Sequence, residues 1–360
     1  MKKVVALLTG LTMAMGLVAC GNSSTQTAAP APAAEEAPAA EPAPAEEETE
    51  APEEQAEAPA AESTGNEKLV VGFAQIGQES GWRDAETNDV QWYAARNTDT
   101  IELAFADAQQ KQENQIKAIR NFIEMDVDVI AFPPVVETGW EAVLTECQEA
   151  GIPVILVDRG IDASAGEDLY TTMIASDHVW AGEQAAIVMN DLLGGTGKVV
   201  ELEGTVGASA AVQRKQGFDD YIANNCPDIE ILDSQTGDFT RAMGKEVMES
   251  FLKSYSDIDA VFCHNDDMAL GAIEAIKEAG LKPGEDIKVV GVDGVKGAFE
   301  SMLAGEMNCT VECTPILAQQ IFDTAAKLKN GETVDKWIMS ADGVYTADQV
   351  TQEVVDGRQY

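Results

Sequence analysis

The sequence predicts an α/β protein built from two doubly wound parallel-sheet lobes. Three observations lead there. Short, continuous apolar runs of four to seven residues recur along the chain, and amphipathic helical stretches separate them. Uninterrupted apolar strands alternating with helices signal parallel sheets covered on both faces. The third is length: once a 20-residue leader is set aside, 340 of the 360 residues remain, enough for two lobes of ordinary domain size.

The leader comes first. Lys2 and Lys3 precede an apolar run from Val4 to Leu17, and the segment ends Leu17-Val18-Ala19-Cys20. A basic start, an apolar core too short to span a bilayer and small residues before a cut describe a secretion signal. The ending resembles the lipobox of bacterial lipoproteins, which implies a diacylglycerol on the Cys20 thiol as the first mature residue. Two acyl chains would then anchor the protein to the outer face of a membrane, or within a periplasm, without a transmembrane helix.

Residues 21–66 are almost entirely Ala, Pro, Glu, Ser and Thr, with no aromatic residue and no apolar periodicity. Such a segment cannot bury enough surface to fold and reads as a disordered spacer. Extended by proline stiffness and glutamate repulsion, it reaches on the order of 140 Å at about 3.1 Å per residue. The charge is lopsided throughout: 63 acidic residues face 23 basic ones, a net charge of −40. An acidic field of this size excludes nucleic acid as a partner and disfavours large anionic ligands.

The strands follow in order: LVVGFA (69–74), IELAFA (101–106), VDVIAF (127–132), IPVILV (152–157), KVVELE (198–203), IEIL (229–232), DAVFC (259–263) and IKVVGV (287–292). Between them lie stretches such as QENQIKAIRNFIEM, with Ile116, Ile119, Phe122 and Ile123 on one helical face. Of six cysteines, Cys20 is committed to lipid and the other five are an odd number at irregular spacing, so at least one is unpaired. Cys309 and Cys313 sit too far apart along one strand to bridge each other and read as small core residues. His178 and His264 are the only histidines, and no cysteine or histidine spacing suits a metal. No cofactor is expected.

In doubly wound sheets ligands lie beyond the carboxyl ends of the strands. There this chain is rich in hydrogen-bonding groups. LVVGFA leads into Gln75, Ile76, Gly77, Gln78, Glu79, Ser80, Gly81, Trp82 and Arg83; IELAFA leads into Asp107; IPVILV ends in Asp158 and Arg159. In the second half DAVFC runs into His264, Asn265, Asp266 and Asp267, IKVVGV runs into Asp293 and Gly294, and Arg214 and Arg241 open helical segments. Carboxylates and amides accept hydroxyl protons, guanidiniums offer donors in a fixed fork, and aromatic faces cover carbon. The mixture suits a neutral polyhydroxylated ligand. Each group also has a plainer role, since Asp293-Gly294 makes a good turn and Asn265 or Asp266 caps the next helix. Their recurrence at one end of successive strands favours a site.

The segments GFAQIGQESGWRDAETN, DAQQKQENQIKAIRNFI, PPVVETGWEAVL, ELEGTVGASAAVQRKQGF, QTGDFTRAMGKEVMESF and HNDDMALGAIEAIKEAGLKPG carry a resemblance. They are similar to the periplasmic sugar-binding proteins of ABC importers, of the ribose and galactose type, and cover nearly the whole body from Val71 to about Leu317. The resemblance implies the type I binding-protein fold, two lobes joined by three crossing strands, the first near Tyr170 to Ala175. The expected first lobe is 67–172 with 316–336, and the second 173–315 with 337–360. It also implies a monomer that closes on a monosaccharide and presents it to an ABC permease and its ATPase subunits. A furanose is favoured, galactofuranose first.

By motif match the first lobe contributes Ile76 to Ser80 with Arg83, then Asp158 and Arg159. The second contributes Arg214, Asn265 and Asp293, with Phe239 at the sugar face. Trp82 either stacks on the ligand or packs at the helix start, and Asp107 stands as a partner that holds an arginine in place. One departure is Leu317, where ribose-binding members carry an amide; Gln319 or Gln320 would have to compensate.

The residues also raise other functions. Glu79 and Asp158 form a candidate carboxylate pair for glycoside hydrolysis, but an arginine-crowded cleft keeps carboxylates ionised and leaves no proton donor. Gly194 to Lys198 lacks the first glycine and the Ser or Thr of a phosphate loop and reads as a turn. A receptor presenting sugar to a membrane sensor kinase is the remaining alternative.

Overall fold

The computed structural model describes residues 68–162 and 167–360; the leader, the spacer and the lipidation site Cys20 lie outside the described residues. The first lobe opens with β1 (Leu69–Gln75), α1 (Gly81–Arg96), β2 (Ile101–Asp107), α2 (Gln112–Glu124), β3 (Val129–Phe132), α3 (Glu141–Glu149), β4 (Val154–Val157) and β5 (Thr172–Ala175). The second lobe holds α4 (His178–Leu193), β6 (Thr196–Glu203), α5 (Ser209–Asn225), β7 (Asp228–Thr236), α6 (Arg241–Ser254), β8 (Ala260–Cys263), α7 (Asp266–Glu278), β9 (Lys288–Asp293), α8 (Lys296–Leu303) and β10 (Cys309–Glu312). The chain then returns to the first lobe for α9 (Ala318–Lys329) and β11 (Trp337–Met339). It ends in the second with β12 (Val344–Thr346) and α10 (Gln352–Gly357).

The first sheet has the strand order β11-β5-β4-β3-β1-β2 and the second β12-β10-β9-β8-β6-β7. Every described pairing in the first is parallel; in the second, β12 alone runs antiparallel, against β10. Each predicted strand is present. The period-2 geometry of β1 splits the first lobe's core in two: Val71 and Phe73 pack with Ile321 and Phe322 of α9, while Ala74 packs with Ile119 and Phe122 of α2. Ile116 and Ile123 of the predicted α2 stripe lie half-buried against the same cluster. Cys147, Cys226, Cys263, Cys309 and Cys313 are free and buried.

The first and third lobe crossings fall slightly later than the sequence suggests. Met173 and Ile174, expected in the second lobe, belong to β5, where Ile174 is fully buried and pairs with β4 and β11. Trp337 to Met339, also assigned to the second lobe, form β11 beside β5. The chain therefore crosses after Ala175, between Cys313 and Leu317, and after Met339. Local composition does not mark these points because the strands continue up to them.

Arg214 was expected to open a helix; it sits instead in the second turn of α5, and this placement depends on close helix packing. A β-carbon on Gly182 of α4 would lie 2.1 Å from the Arg214 carbonyl oxygen, and one on Gly217 of α5 would lie 2.0 Å from the Val179 carbonyl oxygen. The two glycines let the backbones of α4 and α5 touch. Gly217→Ala gains at most about 1 kcal/mol of helix propensity and loses about 1–3 kcal/mol or more by forcing the helices apart. Urea unfolding should therefore show a lower midpoint for Gly217→Ala, while Gly357→Ala, with nothing near its β-carbon, should stay within about 0.5 kcal/mol of the parent.

Candidate functional site

The carboxyl ends of the strands in both sheets converge on one cavity. From the first lobe come Glu79, Ser80, Trp82 and Arg83 after β1, and Asp158 and Arg159 after β4. From the second come Ala210 and Arg214 of α5, Phe239 after β7, Asn265 after β8 and Asp293 at the end of β9. The space between these side chains is small, about 250 Å³ with the part open to solvent included.

Arg83, 1% exposed, organises the first-lobe wall. Its Nη2 donates to Asp158 Oδ2, its Nη1 to Glu86 Oε2 and its Nε to Glu79 Oε1 at 3.3 Å. Glu79 Oε1 also accepts from Arg159 Nη2. On the opposite wall Arg214 Nη2 lies 3.3 Å from Asp293 Oδ1, and Nη1 donates to the His264 carbonyl. Phe239 lies beside both, with the Arg159 and Arg214 guanidinium carbons 5.1 and 5.9 Å from its ring centre. Gly204 makes room for that ring, since a β-carbon there would lie 2.1 Å from Phe239 Cζ.

The carboxyls differ in proton affinity. Burial alone would raise Asp158, yet the Arg83 guanidinium, with His178 and Arg159, holds it well below the usual carboxylate range. Burial raises Asp293 far above that range, against Arg214 and with help from Asp266, Asp158 and Asp267. Burial also raises Glu86, against Arg83. Three guanidiniums thus share the lining with three carboxyl groups, Glu79, Asp158 and Asp293, of which Asp158 is held ionised and Asp293 takes up a proton more readily. A near-neutral lining of this kind fits an uncharged polar ligand.

Donors are left over. Arg159 Nε and Nη1 and Arg214 Nε are buried without a hydrogen-bond partner among the described residues. A buried donor left unpaired costs about 1–3 kcal/mol, more when charged. Backbone strain concentrates here too: Asp158 (φ 60°), Phe239 (φ 58°) and Asp293 (φ 126°) occupy the region that favours glycine. The lobes meet around the cavity through Gly81 N to Asp267 Oδ2, Gly160 N to Ser209 Oγ and Glu137 N to the Gly207 carbonyl, each 2.8 Å.

A family model described as a periplasmic binding protein domain matches residues 71–333. The chain belongs to the periplasmic binding protein family. It is 47% identical over 291 residues to the galactofuranose-binding protein YtfQ of Escherichia coli, covering 79% of this chain and 90% of that one. A Mycobacterium smegmatis protein solved in complex with β-D-fucofuranose is 47% identical, with a TM-score of 0.77 over 81% of this chain and 95% of that one. The binding component of the arabinose ABC transporter of Shewanella sp. ANA-3, solved with α- and β-L-arabinofuranose, is 48% identical, with a TM-score of 0.76 over 81% and 96%.

Within this family member the predicted residues divide by position. Glu79, Ser80, Trp82, Arg83, Asp158, Arg159, Arg214, Phe239, Asn265 and Asp293 line the cavity; Ile76, Gly77, Gln78 and Asp107 do not. Ile76 and Gly77 shape the loop, where the Ile76 carbonyl accepts from Gln110 N and a β-carbon on Gly77 would lie 2.9 Å from the same nitrogen. Gln78 is exposed and donates to Asp84. Asp107 holds no arginine: it is exposed, and its Oδ1 accepts from Gln109 N to fix a turn. Glu86 takes the arginine-holding role expected of Asp107.

Ser80 and Asn265 also perform the plainer task, each capping a helix. Trp82 lines the cavity and is buried in the second lobe's core cluster, while its Nε1 donates to the Cys313 carbonyl. Leu317 is buried in the first lobe's core, Gln319 is exposed, and neither Gln319 nor Gln320 reaches the cavity lining. Ala210, Glu86 and His178 were missed. Glu86 had a signal, since it stands three residues after Arg83 on α1. His178 Nε2 meets the Asp158 carbonyl at 2.9 Å across a lobe crossing, a pairing no local pattern announces.

Asp158 gives a pH dependence. A carboxyl with a depressed folded-state pKa contributes stability that is complete above the unfolded value of about 3.9 and is lost as pH falls toward the folded value. Calorimetric melting from pH 6 down to pH 2 should show a Tm that drops below about pH 4. The drop should be shallower in Asp158→Asn.

Proposed function

We propose that the protein is the sugar-capturing subunit of an ABC importer, held outside the cytoplasm by a lipid on Cys20 and binding one furanose monosaccharide between its lobes. Galactofuranose is the first choice and arabinofuranose the next. The observation that carries this reading is the set of unpaired, buried guanidinium N–H groups on Arg159 and Arg214, one residue from each lobe, both lining the same small cavity. Ring and hydroxyl oxygens satisfy those donors, while Glu79, Asp158 and Asp293 accept hydroxyl protons. Phe239 supplies an apolar face for the carbon side of the sugar. Relatives solved with fucofuranose and arabinofuranose support the ring form.

Sugar contacts to both lobes stabilise the closed form over the open one, a population shift that a permease then recognises. The spacer, at residues 21–66, keeps the loaded protein near that permease and raises its local concentration.

A thermal-shift screen over furanose and pyranose sugars should raise Tm most with a furanose, and isothermal calorimetry should then give its Kd. Arg159→Ala and Arg214→Ala should each weaken that sugar by about 100-fold or more, since each leaves buried carboxylates or hydroxyls unmatched. Near-parental affinity in both variants would exclude this cavity as the site. Cys20→Ser should release protein into the soluble fraction with unchanged Kd and slower sugar uptake by cells; unchanged membrane attachment would contradict the anchor.

A further inference from the structure

The site's second-lobe carboxylate, Asp293, is held in place from the far end of the chain. Arg358 follows α10, and both its Nε and Nη2 donate to the Gly294 carbonyl, at 3.2 and 2.8 Å. Its Nη1 pairs with Glu312 Oε1 at 2.8 Å. The guanidinium carbon stands 4.1 Å from the Phe299 ring centre, 5.1 Å from that of Tyr345 and 5.3 Å from that of Tyr360. Three rings and a carboxylate fix the fork in one orientation.

What the fork grips is the turn that follows Asp293. The 294–295 peptide is held at both ends, its carbonyl by Arg358 and its Val295 N–H by Asp266 Oδ2 at 3.0 Å. Gly294 N also donates to Asp266 Oδ2, at 2.8 Å. Gly294 itself has φ 77°, and a β-carbon there would lie 2.5 Å from Arg358 Nη2. Asp293, immediately before, carries φ 126°, a conformation an L-residue keeps only when its surroundings enforce it. In that conformation it lines the cavity and faces Arg214.

We propose that Arg358 is a positioning residue for sugar binding: by clamping the Gly294 carbonyl it keeps Asp293 in its strained conformation, aimed at Arg214 and the ligand. The proposal rests on the cavity being the sugar site. Lysine cannot replace the fork, because a single ammonium does not give two bonds to one carbonyl while reaching Glu312.

The test compares Arg358→Ala, Arg358→Lys and Val355→Ala, the last removing a buried side chain from the same tail. The crystal structure of ligand-free Arg358→Ala should show Asp293 out of the positive-φ region and apart from Arg214. Its Kd for the sugar selected by the parent should rise about tenfold, with Arg358→Lys between the two. Val355→Ala should lower Tm and leave Kd within about twofold, because general loosening of the tail does not reach Asp293. An Asp293 that stays put, an affinity within about twofold of the parent, or an equal loss in Val355→Ala overturns the proposal. Should Arg358→Ala not fold, the structure and Kd of Arg358→Lys decide by the same criteria. A parent that binds no furanose, together with a displaced Asp293 in the variant structure, removes the functional reading and leaves the clamp standing.

Discussion

Charges taken out of water must be matched, and Arg83 is where this protein meets that demand. A lone buried guanidinium is costly by several kcal/mol, so its three carboxylate partners, Glu79 of the loop after β1, Glu86 of α1 and Asp158 after β4, are fixed relative to one another by it. Asp158 is thereby ionised and immobile. Glu79, shared between Arg83 and Arg159, then orients Arg159 through a single nitrogen and leaves two others unpaired. Replacing such a network by packed apolar residues would often be neutral or stabilising. Its presence is therefore better explained by what it presents to the cavity than by what it adds to stability.

The second lobe solves the same problem differently. Arg214 relies on one carboxylate, Asp293, and a backbone carbonyl, and it sits in α5 only because two glycines allow α4 and α5 to touch. The walls are thus supported by separate means, one by ion pairs within the lobe and the other by backbone contact and a strained turn. Direct hydrogen bonds between the lobes are few, and each contributes only about 0.5–1.5 kcal/mol net. A ligand that pairs with both walls at once adds a comparable or larger amount, which makes lobe closure responsive to it.

Strand-level organisation was legible in the sequence because continuous apolar runs and strand-end polar residues are local signals. That is why Glu79, Arg83, Asp158, Arg159, Asn265 and Asp293 could be placed at one cleft from spacing and position. The failures have separate causes. Asp107 sits at a strand end like the others, but β2 is the outer strand of the sheet, and there the carboxylate is exposed and accepts from Gln109 N. Gln78 lies in the right loop, yet the loop turns it to solvent. His178 and Arg358 act through partners 20 and 64 residues away, pairings that no local pattern carries.

On the proposed reading, unpaired donors from both lobes close on one sugar ring. A crystal structure of the protein with the furanose it binds best should show ring or hydroxyl oxygens of a single sugar within about 3.2 Å of Arg159 Nε or Nη1 and of Arg214 Nε, with Phe239 against its carbon face. A sugar bound outside this cavity, or inside it with those nitrogens still unpaired, would contradict it.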